Sequence, residues 1–378
     1  MRGNNVLGII FSNMKDQLIR ELTDQRTMGS IPFGGRYRLI DFPLSNMTNS
    51  GIGRVGVITK SNYRSLMDHV GSGKAWDLSR KRSGLVFLPP YRTGNALYIN
   101  RIGALEGIRE FIASSKEEYV FMTDCDTVCS IDVQKVVDFH LEHSADITIV
   151  CTNSKAPDRR PELVAMDMDE NQRVIDIRIN PALNGSICFG LGMYVMRRDF
   201  LVQMIDEAAC HNLQNFEVDI LQSGMEKYRI FGYEHRGYVG IISSLSEYHR
   251  VSMQLLQEDV RKALFSSERP VYTKVRDEMP ARYGLGSQAK NSLIADGCVI
   301  EGEVENCILF RGVHVQKGAH LVNSIVMQGS VISEGCDLNY LIVDKNVIIR
   351  PQQRVLHFAT KESIYGEKKK RHDGIQIL

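Results

Sequence analysis

Little in this chain points toward nucleic acid, membrane or metal. Charge of one sign is not in excess: 46 Lys and Arg stand against 45 Asp and Glu in 378 residues, a formal net charge of +1. That balance leaves no electrostatic footprint for a polyanion or an anionic bilayer, so neither is expected as a partner. Long apolar runs are also scarce. The one near the N-terminus, residues 6–11, is too short for a secretory leader or a membrane span, and a cytoplasmic location is expected. None of the eight cysteines forms a Cys-x-x-Cys pair. Cys125 and Cys129 lack a second ligand pair, so no zinc site is expected, and the thiols read as small buried side chains in a reducing compartment. Tryptophan occurs once, at Trp76, where a packing role at a domain or loop contact is expected. The basic run at 368–371 is short and reads as solvated charge.

What is abundant is a beat of six in the last quarter. Val313, Ala319, Ile325, Val331, Val343 and Ile349 share one phase of six, broken only by Asp337, and glycines keep similar intervals (Gly312 to Gly318, Gly329 to Gly335). Short apolar strands and turns at that spacing predict a β-helix, whose stacked rungs bury one another's inward side chains. Its ends and flat sides suit subunit contacts, so an oligomer is expected.

The first two thirds alternate between strand and helix patterns. Buried strands are expected at 6–11, 55–59, 119–123 and 147–151, and further strands near 192–196 and 229–233. One helix is expected through Ile102, Leu105, Ile108 and Ile112, and another through Val133, Val136, Val137 and Leu141. Non-alternating strands joined by helices predict an α/β domain with a mostly parallel sheet. In such sheets ligands sit at the carboxyl ends of strands, here the loops after Phe11 and Thr123. The domain boundaries read as 1–255 for the α/β domain, 256–285 for a connector, and 286–378 for the β-helix and tail.

Residues 31–52 make the reading specific. The run Ile31-Pro-Phe-Gly-Gly-Arg-Tyr-Arg-Leu-Ile-Asp-Phe-Pro-Leu-Ser-Asn46, followed by Asn49-Ser-Gly-Ile52, resembles the glucose-1-phosphate adenylyltransferase (ADP-glucose pyrophosphorylase) family of glycogen and starch synthesis. The resemblance continues through Tyr63–Leu66 with His69, residues 93–100, Tyr272–Lys274, Val304–Asn306 and Leu309–Gly312. It implies a nucleotidyltransferase (Rossmann-like) domain, a left-handed parallel β-helix and a tetramer. The implied reaction joins ATP and glucose 1-phosphate into ADP-glucose and pyrophosphate.

Carried over residue by residue, most of the family's working groups are missing. Glycines of the triphosphate loop, where backbone amides approach the anion, are Asn13, Met14 and Asp16; the loop arginine is Leu18. A lysine slightly further on is Met28, and the sugar-phosphate lysine is Asn180, with Ile179 for an acidic sugar contact. Arg92 and Ile99 replace a glycine and a glutamine of the nucleotide loop. Asp126 matches one metal-binding aspartate, supported by Asp132, but the second falls on Ile241. One carboxylate is a poor Mg²⁺ site, so no cofactor is expected unless residual activity brings Mg²⁺ with it. Phosphoryl transfer depends on positioning and charge stabilisation, so losing several of these groups together should silence the site.

That pattern resembles the family's non-catalytic, D-type subunits, which implies a catalytic adenylyltransferase subunit as partner in a heterotetramer, with a homotetramer as alternative. Asp126 is then vestigial, or simply closes a strand end. Arg36 and Arg38 are candidate effector residues, because some relatives carry a basic residue there for a phosphorylated activator; an ion pair with Asp41 is the plainer alternative. Tyr37 to Asn46, with Asn49 to Ile52, is a second candidate subunit contact. Two other functions stay open: weak adenylyltransfer using Arg20, Lys15 and Asp124, and acyl transfer from a β-helix histidine, His314 or His320.

Overall fold

The computed structural model describes residues 5–80, 83–90, 98, 100–157, 160–182, 185–356 and 375–377. The chain divides into two compact units. One comprises 1–31, 39–243 and 263–274, the other 32–38, 244–262 and 275–378.

The first unit is built on a nine-stranded sheet. Its order runs Val174–Ile179, Val164–Met168, Ser186–Arg197, Tyr119–Asp124, Val6–Phe11, Arg54–Ile58, Gly84–Leu88, and Ile147–Lys155 pairs Ser186–Arg197 on one side and Ile230–Glu234 on the other. The expected strands are present, but the sheet is mixed rather than mostly parallel. Val6–Phe11 is parallel to both its neighbours, whereas Ser186–Arg197 is antiparallel to Tyr119–Asp124, Ile147–Lys155 and Val164–Met168. Strands with both faces covered read as continuous apolar runs in either direction, so composition alone cannot assign orientation.

Helices supply the rest of this core. Leu7, Ile9, Phe11, Val120 and Met122 pack with Ile102, Leu105, Ile108 and Ile112, all buried. The single helix expected there is two, Arg101–Gly107 and Arg109–Ala113, with Ile108 between them. Gly107, a poor helix former, sits at the break. The helix Val133–Glu142 buries Val136 and Val137, while Leu141 is half-buried.

Most of the segment that carries the family resemblance is interior, which leaves Tyr37, Asn49 and Gly51 as the partly exposed residues of the candidate subunit contact. Leu39 to Met47 are buried throughout. Asn46 donates to the Cys129 carbonyl at 3.0 Å and accepts from the Ile131 amide at 3.2 Å. Asn49 donates to the Pro270 carbonyl at 2.9 Å. The Tyr272 amide donates to Ser45 Oγ at 2.9 Å, tying the two matching motifs together. The Asp41 carboxylate meets His69 Nε2 at 2.6 Å, and Trp76 is buried edge-on to the His69 ring.

The second unit is a parallel β-helix with three sheets. Ile300, Val315, Ile332 and Ile349 stack on one side, and Val304, Leu321 and Leu338 on another, all fully buried or nearly so. The stacking register steps by 15 residues and then by 17 twice (300 to 315, 332 and 349), not by three sixes. The 15-residue coil is three residues short of three sixes and each 17-residue coil one short, so the six-residue phase slips: Val331 is half-buried and Ile332 points inward. Asp337 lies off the core, 3.3 Å from His320. Gly297, Gly312 and Gly329 occupy one corner with φ between 68° and 76°, a conformation open to glycine. The first rung strand is Arg282–Tyr283, paired with Val299–Ile300, and Glu258–Leu264 is helical.

Among the described residues no helix is long and apolar enough to cross a membrane. All eight cysteines are free; Cys210 is exposed and Cys188 half-buried, departing from the expectation of buried thiols.

Candidate functional site

The site lies at the carboxyl ends of Val6–Phe11 and Tyr119–Asp124, where a sheet of this kind places its ligands. Beyond Phe11 the chain turns through Ser12, which accepts from the Gly29 amide at 2.9 Å, into a short 3-10 turn, Asp16–Ile19. The loop is closed on itself. Asp16 Oδ1 accepts from the Met28 amide at 2.7 Å, and Asn13 Oδ1 accepts from the Tyr98 hydroxyl at 3.2 Å. Burial pushes the Asp16 carboxyl up to about 7, against the Met28 bond and the nearby Lys60. Met28 is buried, and Met14 and Leu18 are half-buried, Met14 against the core. A carboxylate thus accepts an amide hydrogen bond in the loop where the family brings amides to a phosphate.

Of the cationic groups near this loop, Lys15 and Arg20 are engaged elsewhere. Lys15 is paired with Glu162 at 3.0 Å. Arg20 is exposed and donates to Gln17 Oε1 at 2.5 Å. Asn180 stands at φ +51°, its Oδ1 taking the Leu163 amide at 3.0 Å. Asparagine is one of the few non-glycine residues that adopts this left-handed conformation readily, so here it makes a turn. Ile179, its neighbour, ends the strand Val174–Ile179. Arg92 and Ile99 lie outside the described residues.

The acidic strand end is neutralised from within. Asn100 caps the helix that begins at Arg101, taking the Gly103 amide at 2.8 Å. Arg101 then enters the core, with its guanidinium 4.6 Å from the Phe11 ring centroid. It contacts Asp124 at 2.8 Å and Glu217 at 3.4 Å, all three side chains buried. Burial opposes the Arg101 charge, but Asp124 and then Glu217 outweigh it and raise its pKa. Burial raises the Glu217 carboxyl in turn, against the pull of Arg101.

Asp126 is fully buried. Arg160 Nη2 stands 3.2 Å from its Oδ2 and 3.5 Å from its Oδ1, and Thr127 Oγ1 donates to Oδ1 at 3.1 Å. Ile241 pairs with Thr127, and the Ile242 amide donates to the Asp126 carbonyl at 2.8 Å. Asp126 and Ile241 are thus brought together, with one carboxylate between them. Mg²⁺ needs several oxygen ligands in octahedral array. A single buried carboxylate already facing a guanidinium and lying next to an isoleucine does not fit that ion. Among the described residues no group of three metal-ligating side chains occurs.

Arg101, Arg160 and Glu217 were not singled out from the sequence. Arg101 carried a signal, since it shares one helical face with Leu105, Ile108 and Ile112 and is a charge inside an apolar stripe. Arg160 carried none, because its partners come from strands distant in sequence.

The second unit holds the remaining candidates. Arg36 is exposed and lies 5.7 Å from the Tyr37 ring centroid; Arg38 is buried. Burial lowers the pKa of Arg311, and the charges of Arg36 and Arg276 lower it further. His314 is ion-paired with Glu301 at 2.9 Å and His320 with Asp337 at 3.3 Å, so both β-helix histidines are paired with a carboxylate of an adjacent rung.

Comparison with known proteins agrees with this architecture. Residues 9–256 match the nucleotidyl transferase family, and residues 278–362 match a GlmU-like C-terminal hexapeptide family. The "Glycogen biosynthesis protein GlgD" of Bacillus subtilis (strain 168) is 38% identical over 354 residues, 92% of each chain. The chain belongs to the glucose-1-phosphate adenylyltransferase family, among its GlgD-type members. A protein of the same name from Geobacillus stearothermophilus is 37% identical over 84% of this chain and 82% of its own. A "Glucose-1-phosphate adenylyltransferase" from Bacillus mycoides (strain KBAB4) is 29% identical over 92% of this chain and 96% of its own. The C-terminal unit is accordingly a left-handed β-helix of the hexapeptide type.

Proposed function

We propose that this chain is a regulatory, non-catalytic subunit of ADP-glucose pyrophosphorylase in glycogen biosynthesis, acting in the cytoplasm by activating a catalytic partner subunit in a mixed tetramer. One observation carries the reading: the buried carboxylates at the strand ends, and Lys15 of the loop, are held in ion pairs within the chain. Arg101 holds Asp124 and Glu217, Arg160 holds Asp126, and Lys15 holds Glu162. A transferase needs such groups free to meet phosphates and a metal ion in the transition state. Weak adenylyltransfer through Arg20, Lys15 and Asp124 is disfavoured on the same ground, since two are paired and the third faces solvent. Arg36 and Arg38 remain the candidate effector positions; the charge of Arg36 acts on Arg311 together with those of Arg276, Asp296 and Glu278.

The test is co-expression with a glucose-1-phosphate adenylyltransferase of the same cell, followed by size-exclusion chromatography. One mixed species of tetramer size is expected. Two chains that elute separately overturn the proposal.

A further inference from the structure

Two of the free cysteines of the first unit meet. Cys151 and Cys188 stand on neighbouring antiparallel strands, Ile147–Lys155 and Ser186–Arg197, where Cys188 pairs with Asn153 and Gly190 pairs with Cys151. Residues paired across a ladder share a face, and so do residues two apart along a strand, so the two cysteines are diagonal neighbours on one face. Their thiols hydrogen-bond to each other. Cys151 is fully buried in the core of the unit, and Cys188 is half-buried against that core. We propose that they form a peroxide-responsive pair, in which Cys188 meets the oxidant and Cys151 resolves the product as a disulfide. The inference stands apart from the regulatory role proposed above.

Exposure and charge divide the two roles. The thiolate is the reacting form, and thiols that sense oxidants are accessible, easily ionised and next to a second cysteine. The hydrogen bond from Cys151 lowers the Cys188 pKa, against burial and the charges of Glu234 and Asp167. The same bond, helped by burial, raises the Cys151 pKa, so the inner thiol keeps its proton until its neighbour has reacted. The Cys188 thiolate takes an oxygen from hydrogen peroxide, the O–O bond breaks, and water leaves with the proton the thiol gave up. Cys188 is then a sulfenic acid. The Cys151 sulfur attacks it, the S–O bond breaks, and hydroxide leaves as water with the Cys151 proton. Two electrons have passed from the thiols to the peroxide. The sulfurs must close from hydrogen-bond contact to the roughly 2 Å of a disulfide. Gly190, opposite Cys151, has no side chain to resist this, and the pairing shifts register between Gly190 and Met193, a bulge that gives the strand freedom to move. The Gly190 carbonyl also takes Arg160 at 3.2 Å, so the crosslink lies two residues from a group that steadies the Arg160–Asp126 pair.

The test treats full-length protein with hydrogen peroxide, blocks the remaining thiols by alkylation, and maps the digest by mass spectrometry without reductant. The natural chain should give a Cys151–Cys188 linked peptide that dithiothreitol removes. Cys210→Ser, which deletes the exposed thiol, should give the same peptide, and Cys188→Ser should give none. Cys151→Ser should leave the sulfenic acid standing on Cys188, where dimedone traps it, and it should form there about tenfold faster than on Cys210, as a larger thiolate fraction requires. Should Cys151→Ser not fold, Cys151→Ala sets the same trap. Absence of the linked peptide from the natural chain, or oxidation confined to Cys210, overturns the inference. Absence of a mixed oligomer, which would defeat the regulatory reading, leaves this result unchanged.

Discussion

At the scale of single residues, the loop after the first strand holds a carboxylate in an unfavourable ionisation state. Asp16 has its pKa raised by burial from 3.8 to about 7. Because the folded value lies above the unfolded one, the native state binds the proton more tightly. Stability contributed by this group is present in acid, falls as pH rises from about 4 to about 7, and is lost above that. Asp16→Asn should therefore gain about 1–2 kcal/mol at pH 8, discounting for partial exposure, with no gain near pH 4. Urea unfolding of both proteins across pH measures it; a gain that is largest in acid contradicts the assignment. His140 has the opposite sign. It is buried against Thr148 at 2.8 Å, and burial lowers its pKa from 6.5 to about 4. Its neutral form is the stable one, so its contribution is lost as pH falls from about 6.5 toward 4. His140→Asn should flatten the acid limb of the same stability profile, and an unchanged limb would contradict it.

At the scale of elements, the β-helix was the most legible part of the chain and its register the least. Apolar residues every six or so, with glycines at matching corners, announced stacked rungs. Coils of 15 and 17 residues, three and one short of three sixes, then shifted the inward phase, because corners can lose residues without disturbing the stack. A direct check compares neighbours. Ile332→Ala, in the buried stack, should cost about 2–4 kcal/mol, and Val331→Ala less than about 1.5 kcal/mol. Equal losses would restore the strict six-residue phase. In the sheet, strand positions were readable and strand directions were not, since Ser186–Arg197 and Val6–Phe11 are alike in their buried runs yet opposite in pairing. The site was half legible. Asn13, Met14, Asp16, Leu18, Met28, Asn180 and Ile241 could be named from a family pattern. What holds the remaining charges could not, because Arg101 meets Glu217 across 116 positions and Arg160 meets Asp126 across 34.

At the scale of the whole molecule, these pairs bear on any attempt to restore activity. Ile241→Asp alone supplies a second carboxylate but leaves Arg160 on the first. Reverting Asn13, Met14, Asp16, Leu18, Met28, Asn180 and Ile241 to family residues should yield little adenylyltransfer until Arg160 is also replaced, since groups acting as a unit are strongly non-additive. High activity from any one reversion, measured as pyrophosphate release, would mean that the site is far less altered than its ion pairs suggest. The regulatory role we propose works through a partner. The coupling required is modest: about 1–3 kcal/mol between subunits changes an affinity roughly 5- to 150-fold. The decisive measurement titrates this chain into a fixed amount of the catalytic adenylyltransferase of the same cell and follows ADP-glucose synthesis, with each chain alone as control. This chain alone should form no product, and the mixture should show higher turnover or lower substrate KM than the partner alone, saturating at a fixed ratio of the two. Product from this chain alone at a rate like the partner's, or kinetics of the mixture equal to those of the partner, would contradict it.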